Sequence, residues 1–89
     1  MDIRLDEKPR KELKIIDKKN PKLARQIQKQ LKLFKENPRH KSLRVHKLSG
    51  ELKNMWSISI TKAIKMIYLL DGNEAYFFDL GTHDEIYRK

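Results

Sequence analysis

A histidine and a tyrosine stand four residues apart near the end of this 89-residue chain, in Gly81-Thr82-His83-Asp84-Glu85-Ile86-Tyr87. Histidine is the side chain whose unperturbed pKa allows proton exchange near neutral pH. An aromatic ring close by can stack on a nucleobase. The segment follows Ala75-Tyr76-Phe77-Phe78-Asp79-Leu80, which reads as a strand. A proton-transfer group and a stacking platform at a sheet edge suggest RNA chemistry. The plainer alternatives are His83 capping the strand end through a backbone hydrogen bond and Tyr87 packing a C-terminal tail onto the sheet.

Charge gives the suggestion weight. The net charge is +9, from 21 Lys and Arg against 12 Asp and Glu. Residues 1–50 hold 16 basic and 6 acidic residues, whereas residues 51–89 hold 5 and 6. The positive field therefore belongs to the N-terminal half and suits phosphate backbones or an acidic protein partner. A lysine surface kept for solubility is the other reading. With no cysteine, disulfides and thiolate metal sites are excluded. His40, His46 and His83 lack zinc-ligand spacing, and no carboxylate-rich loop is present, so no metal or other cofactor is expected. The charged start Met1-Asp2-Ile3-Arg4 has no apolar stretch behind it, and no segment approaches a membrane span, which predicts a cytoplasmic protein with no membrane partner.

The elements that must hold these residues follow from pattern. Ile3 and Leu5 flank Arg4 as in a short strand, and Asp6 or Glu7 can cap a first helix that tolerates Pro9 in its opening turn. That helix turns Leu13 and Ile16 inward and ends near Asn20. Asn20-Pro21 restarts a second helix to about Glu36, with Leu23, Ile27, Leu31 and Phe34 along one face as core. Asn37-Pro38-Arg39 closes it. Leu43, Val45 and Lys47 suggest a strand broken by Ser49-Gly50, and Trp56 to Thr61 alternates with period two. Lys62-Ala63 is a turn, Lys65 to Leu70 a central strand, and Asp71-Gly72-Asn73 a hairpin turn before Ala75 to Leu80. The predicted order is β-α-α-β-β-β: one α+β domain, residues 1–89, with a short N-terminal strand and a two-helix hairpin packed on an antiparallel sheet of about four strands.

That order resembles the RelE/ParE superfamily of toxins over essentially the whole chain. The resemblance is carried by His46-Lys47-Leu48-Ser49-Gly50, Trp56-Ser57-Ile58-Ser59-Ile60-Thr61, Ile67-Tyr68 and Gly81 to Tyr87. The ending is most similar to the YafQ branch. The resemblance implies the toxin of a type II toxin–antitoxin system: a ribosome-dependent endoribonuclease acting on mRNA, silenced by a small acidic antitoxin. The ParE branch instead inhibits gyrase, and a relative that only binds antitoxin or RNA is a further alternative.

On that basis His83 and His46 are the candidates for proton transfer in metal-free attack of a ribose 2′-hydroxyl on the adjacent phosphate, and Lys65 for stabilising the phosphate charge. Tyr87 would stack on or hydrogen-bond a base, and Lys47 and Lys53 would hold phosphates. For each lysine a solvated surface role is the alternative, and for His46 an exposed polar one. Trp56 belongs to the shared pattern and is expected in the core, and His40 is expected to contact backbone at most. The chain departs from the branch at Ser59, where relatives carry arginine or histidine, at Ala63 and Ile64, which replace an acidic residue and a tryptophan, and at Asp79, which replaces an arginine.

Overall fold

The computed structural model describes residues 1–48, 54–82 and 84–85. Its first strand, β1 (Asp2–Leu5), leads through Asp6 into helix α1 (Glu7–Lys19). Asp6 accepts a hydrogen bond from Glu7 N at 2.8 Å, while its own N–H donates to Phe77 O at 2.8 Å. One residue thus starts the helix and fastens it to the sheet. Asn20 serves two helices. Its N–H donates to Ile16 O at 2.7 Å, ending α1, and its Oδ1 accepts from Leu23 N at 3.2 Å, starting α2 (Pro21–Glu36). Pro21 then occupies the first helical position, where a missing N–H costs nothing.

Beyond α2 the expectation of a strand around Leu43 and Val45 gives way. Residues Lys41–Leu43 form a single 3-10 turn capped by His40, whose Nδ1 accepts from Ser42 N at 3.2 Å. Leu43 is fully buried, and Arg44 takes a left-handed conformation with φ of 46°. That reversal delays the strand to β2 (His46–Lys47). The break read at Ser49-Gly50 lies outside the described residues. Strands β3 (Met55–Ser59), β4 (Ile64–Asp71) and β5 (Glu74–Thr82) form the meander. Asp71 pairs with Glu74, and Gly72, with φ of 58°, takes the positive φ that a two-residue hairpin demands there. Between β3 and β4, Thr61 Oγ1 accepts from Ala63 N and Ile64 N, closing the expected turn at Lys62-Ala63.

The sheet order is β1-β5-β4-β3-β2. The four later strands are antiparallel as expected, and β1 adds a fifth by pairing parallel with β5. Both helices cover one face. Ile27 and Phe34 of α2 pack there on Ile58, Met66, Tyr68, Ala75 and Phe77, and Leu13, Ile16 and Trp56 join this cluster half-buried. Phe34, Tyr68 and Phe77 meet mutually with centroids 4.9 to 5.4 Å apart, within the range where aromatic quadrupoles attract. Burial pushes the Tyr68 hydroxyl pKa up to about 12.

Candidate functional site

The opposite face of the sheet holds most of the described polar candidates. Pairing sets His46 opposite Ser57, Ser57 opposite Ile67, and Ile67 opposite Asp79, so these four form one row across four strands. Two residues further along, roughly 7 Å by strand rise, Ser59, Lys65 and Gly81 form the next row. Leu48, Met55, Ile67 and Phe78 make a small apolar patch on this side. Ser57, Ser59 and Asp79 are buried here, whereas His46 is exposed.

An irregularity in β5 decides what Asp79 faces. Tyr68 pairs with Phe77 but Ile67 with Asp79, so Phe78 is an extra residue in the strand. The bulge lets Phe77 and Leu80 both reach the helix-side core while Asp79 turns to the other face. Strict alternation would have sent Asp79 inward with Ala75 and Phe77.

Asp79 is not an isolated negative charge. Its Oδ1 lies 2.9 Å from Lys8 Nζ and also accepts from Leu80 N at 2.9 Å. The two partners are 71 residues apart, and the ammonium arrives from the first turn of α1, past the end of β1. Lys8 thereby returns a cation to the neighbourhood where the resemblance expects one. Sequence reasoning missed it, since nothing local ties residue 8 to residue 79.

Lys65 is held by a neighbour that the sequence counted only as a departure. Its Nζ donates to Ser59 Oγ at 2.8 Å. The serine draws the ammonium across β4 toward β3, the strand that pairs with His46. Lys47 takes the other side: it pairs with Trp56, and its Nζ stands 5.8 Å from the centre of that indole. His46 and Lys47 therefore point to opposite faces of an edge strand. Of the remaining candidates, His83, Tyr87 and Lys53 lie outside the described residues.

The backbone on either side of His83 in sequence is tied down reciprocally. Thr82 N donates to Glu85 Oε1 at 2.9 Å, and Glu85 N donates to Thr82 Oγ1 at 3.2 Å. This reciprocal pair is a capping box, and Asp84 and Glu85 are helical. Hydrogen bonds from the Thr82 backbone and side chain hold the Glu85 carboxyl below its ordinary range. Gly81 lies against that carboxylate, and an added methyl would stand in ordinary contact with Glu85 Oε1 at 3.4 Å.

A basic α+β domain with two helices on one face of a sheet and a histidine, lysine and serines on the other defines a recognisable class. The chain matches the profile of the bacterial toxin of type II toxin–antitoxin system, YafQ, over residues 1–88, and it belongs to that family. No curated protein matches it. Solved structures share its fold. The YoeB/ParE toxin from Agrobacterium tumefaciens superposes with a TM-score of 0.78 at 15% identity, covering 93% of this chain and 99% of that one. The E. coli DinJ-YafQ complex gives 0.77 at 19% identity with 97% of each chain covered. The YoeB-YefM complex from Staphylococcus aureus gives 0.76 at 20%, covering 93% and 97%. Among the described residues, no helix is long and apolar enough to cross a membrane.

Proposed function

We propose that this type II toxin is an endoribonuclease that cuts mRNA on the ribosome without a metal. The observation that carries this reading is the sheet face away from the helices, where exposed His46 and the Ser59-held Lys65 stand two strands and one row apart. In the proposed step the ribose 2′-oxygen attacks the adjacent phosphorus and the bond to the 5′-oxygen breaks. A 2′,3′-cyclic phosphate and a 5′-hydroxyl result. One histidine takes the 2′-proton, the other supplies a proton to the leaving oxygen, and His46 and His83 fill these two roles. Lys65 stabilises the charge that builds on the phosphate as a point cation rather than a bidentate fork. Tyr87 stacks on or hydrogen-bonds a base. Lys53 holds phosphate, and Lys47 reaches phosphate around the β2 edge.

Asp79 favours the second reading, a member that binds without cutting, but its pairing with Lys8 removes the uncompensated charge that would repel substrate. We assign an antitoxin partner by likeness to the DinJ-YafQ and YoeB-YefM complexes, and the basic N-terminal half suits an acidic one. Programmed ribosomes incubated with the purified chain test the activity. Cleavage lost in His46→Ala and in His83→Ala is the expected result. An intact message with the unaltered protein would sink the reading, and inhibition of DNA supercoiling instead would favour the gyrase-directed branch.

A further inference from the structure

We propose that the free end of β3 carries a second anion site, distinct from the His46 row, which takes a backbone phosphate of single-stranded RNA. The proposal rests on the RNA reading above and extends it to a group beyond the one being cut.

β2 covers β3 only as far as Ser57. Past that point the outer edge of β3 is closed by side chains rather than by a strand. Gln30 Nε2 donates to Ser59 O at 2.9 Å and to Ser42 O at 3.2 Å, and Gln26 Nε2 donates to Ile60 O at 3.2 Å. Gln30 is buried, so α2, the 3-10 turn and β3 are clipped together at one point. Beside that clip is a cavity of about 320 Å³, open to solvent.

Four cations line it: Lys29 from α2, Arg44 after the 3-10 turn, Lys62 from the β3–β4 turn and Lys65 from β4. No described carboxylate lines it, and Lys29, Arg44 and Lys62 form no ion pair among the described residues. Like charges gathered in one concavity repel, so this arrangement weakens the empty protein and strengthens one that holds an anion. Arg44 adds a second cost. Its left-handed backbone, φ 46° and ψ 53°, is one that glycine or asparagine adopts more cheaply, by about 1 kcal/mol. An arginine kept there supplies a planar fork that matches two phosphate oxygens.

The occupant follows from size and position. The cavity has room for a phosphodiester group, and four cations with no described carboxylate favour an anion over an uncharged aromatic base. Lys65 and Ser59 belong both to this wall and to the row next to His46. A strand lying between His46 and Lys65 would set a neighbouring phosphate over the cavity, roughly 7 Å further along the sheet.

The test uses an eight-residue 2′-O-methyl oligouridylate, which lacks the attacking hydroxyl, with binding followed by anisotropy across a salt series. Arg44→Gln with Lys62→Gln is expected to weaken binding about tenfold and to lower the slope of log K against log salt by about 0.7, the loss of one single-strand phosphate contact. Lys14→Gln with Lys18→Gln on α1 removes equal charge and should leave the slope unchanged. Inorganic phosphate should shift the amide signals of residues 42–44 and 59–62 saturably, and not in the Arg44/Lys62 variant. Urea midpoints of both double variants confirm folding. Equal losses in the two double variants would assign the effect to net charge and overturn the site. Full oligomer affinity with lost binding of a polyglutamate peptide would assign the cavity to a protein partner and overturn RNA as occupant. Because this oligomer resists cleavage, a chain that never cuts RNA can pass, and one that cuts can fail.

Discussion

The two faces of β3, β4 and β5 are built from alternate residues of the same strands, yet they obey different rules. On the helix side, Phe34, Tyr68 and Phe77 interlock with apolar neighbours. On the other, His46, Ser57, Ser59, Lys65 and Asp79 stand in two rows, with polar groups held by hydrogen bonds. Residues one position apart can therefore differ completely in what their loss costs. Stability is concentrated on one face and the proposed chemistry on the other, and the helices anchor the first while leaving the second uncovered by helix.

The largest expected effect breaks the first face. Phe77→Ala should cost about 3–5 kcal/mol in a urea melt, because it removes a fully buried ring from the aromatic trio. A loss below about 1 kcal/mol would show that the trio is not the centre of the core.

His46→Ala should do the reverse: message cleavage falling about 10²- to 10⁴-fold with a melting midpoint unchanged, as expected for an exposed general acid or base. A stability loss matching Phe77→Ala would erase the contrast between the faces.

The next effect sits where the faces are joined. Lys8→Met removes the Lys8 ammonium from the buried Asp79 carboxylate and should cost about 1–2 kcal/mol, measured by urea titration at neutral pH. Lys8→Met with Asp79→Asn should recover part of that loss; no recovery would mean that the ion pair does not couple helix to strand.

The smallest effect is in pH dependence. The Tyr76 hydroxyl, the Glu7 amide and Arg10 hold Asp6 below the usual carboxylate range, and the Thr82 capping box does the same for Glu85. Both folded-state values are depressed. Their contribution is therefore present above the unfolded pKa near 4 and is lost as pH falls through the folded values. Tyr76→Phe should return the Asp6 titration toward its ordinary range by NMR, and an unmoved titration would remove Tyr76 as the cause.

Much of the fold was legible because its signals are local. Asn20-Pro21, the stripe through Ile27 and Phe34, and Asp71-Gly72-Asn73 each act within a few residues. The parallel pairing of β1 with β5 is a contact between the chain's two ends, and no local pattern encodes it. Arg44 shows a different failure. Leu43 and Val45 alternate as a strand would, but burial of Leu43 in a 3-10 turn prevailed over that pattern. In the site, His46 and Lys65 could be named from the sequence, whereas Lys8 and the role of Ser59 depend on pairing across distant segments. The bulge at Phe78 hid the facing of Asp79, since one extra residue inverts every assignment beyond it. Gln30 did leave a signal: a polar residue at helical spacing between Ile27 and Phe34 on an otherwise apolar stripe.

The glutamine clips on β3 also bear on how this protein meets other chains. An open strand edge offers unpaired carbonyls on which a foreign strand can zip, and small sheet proteins polymerise that way. Here the carbonyls of Ser59 and Ile60 are already occupied by amides that belong to a helix and cannot register-shift. A chain seeking to extend this sheet is turned away at that end, so the protein can be produced alongside an extended or partly unfolded partner without being drawn into mixed fibres there.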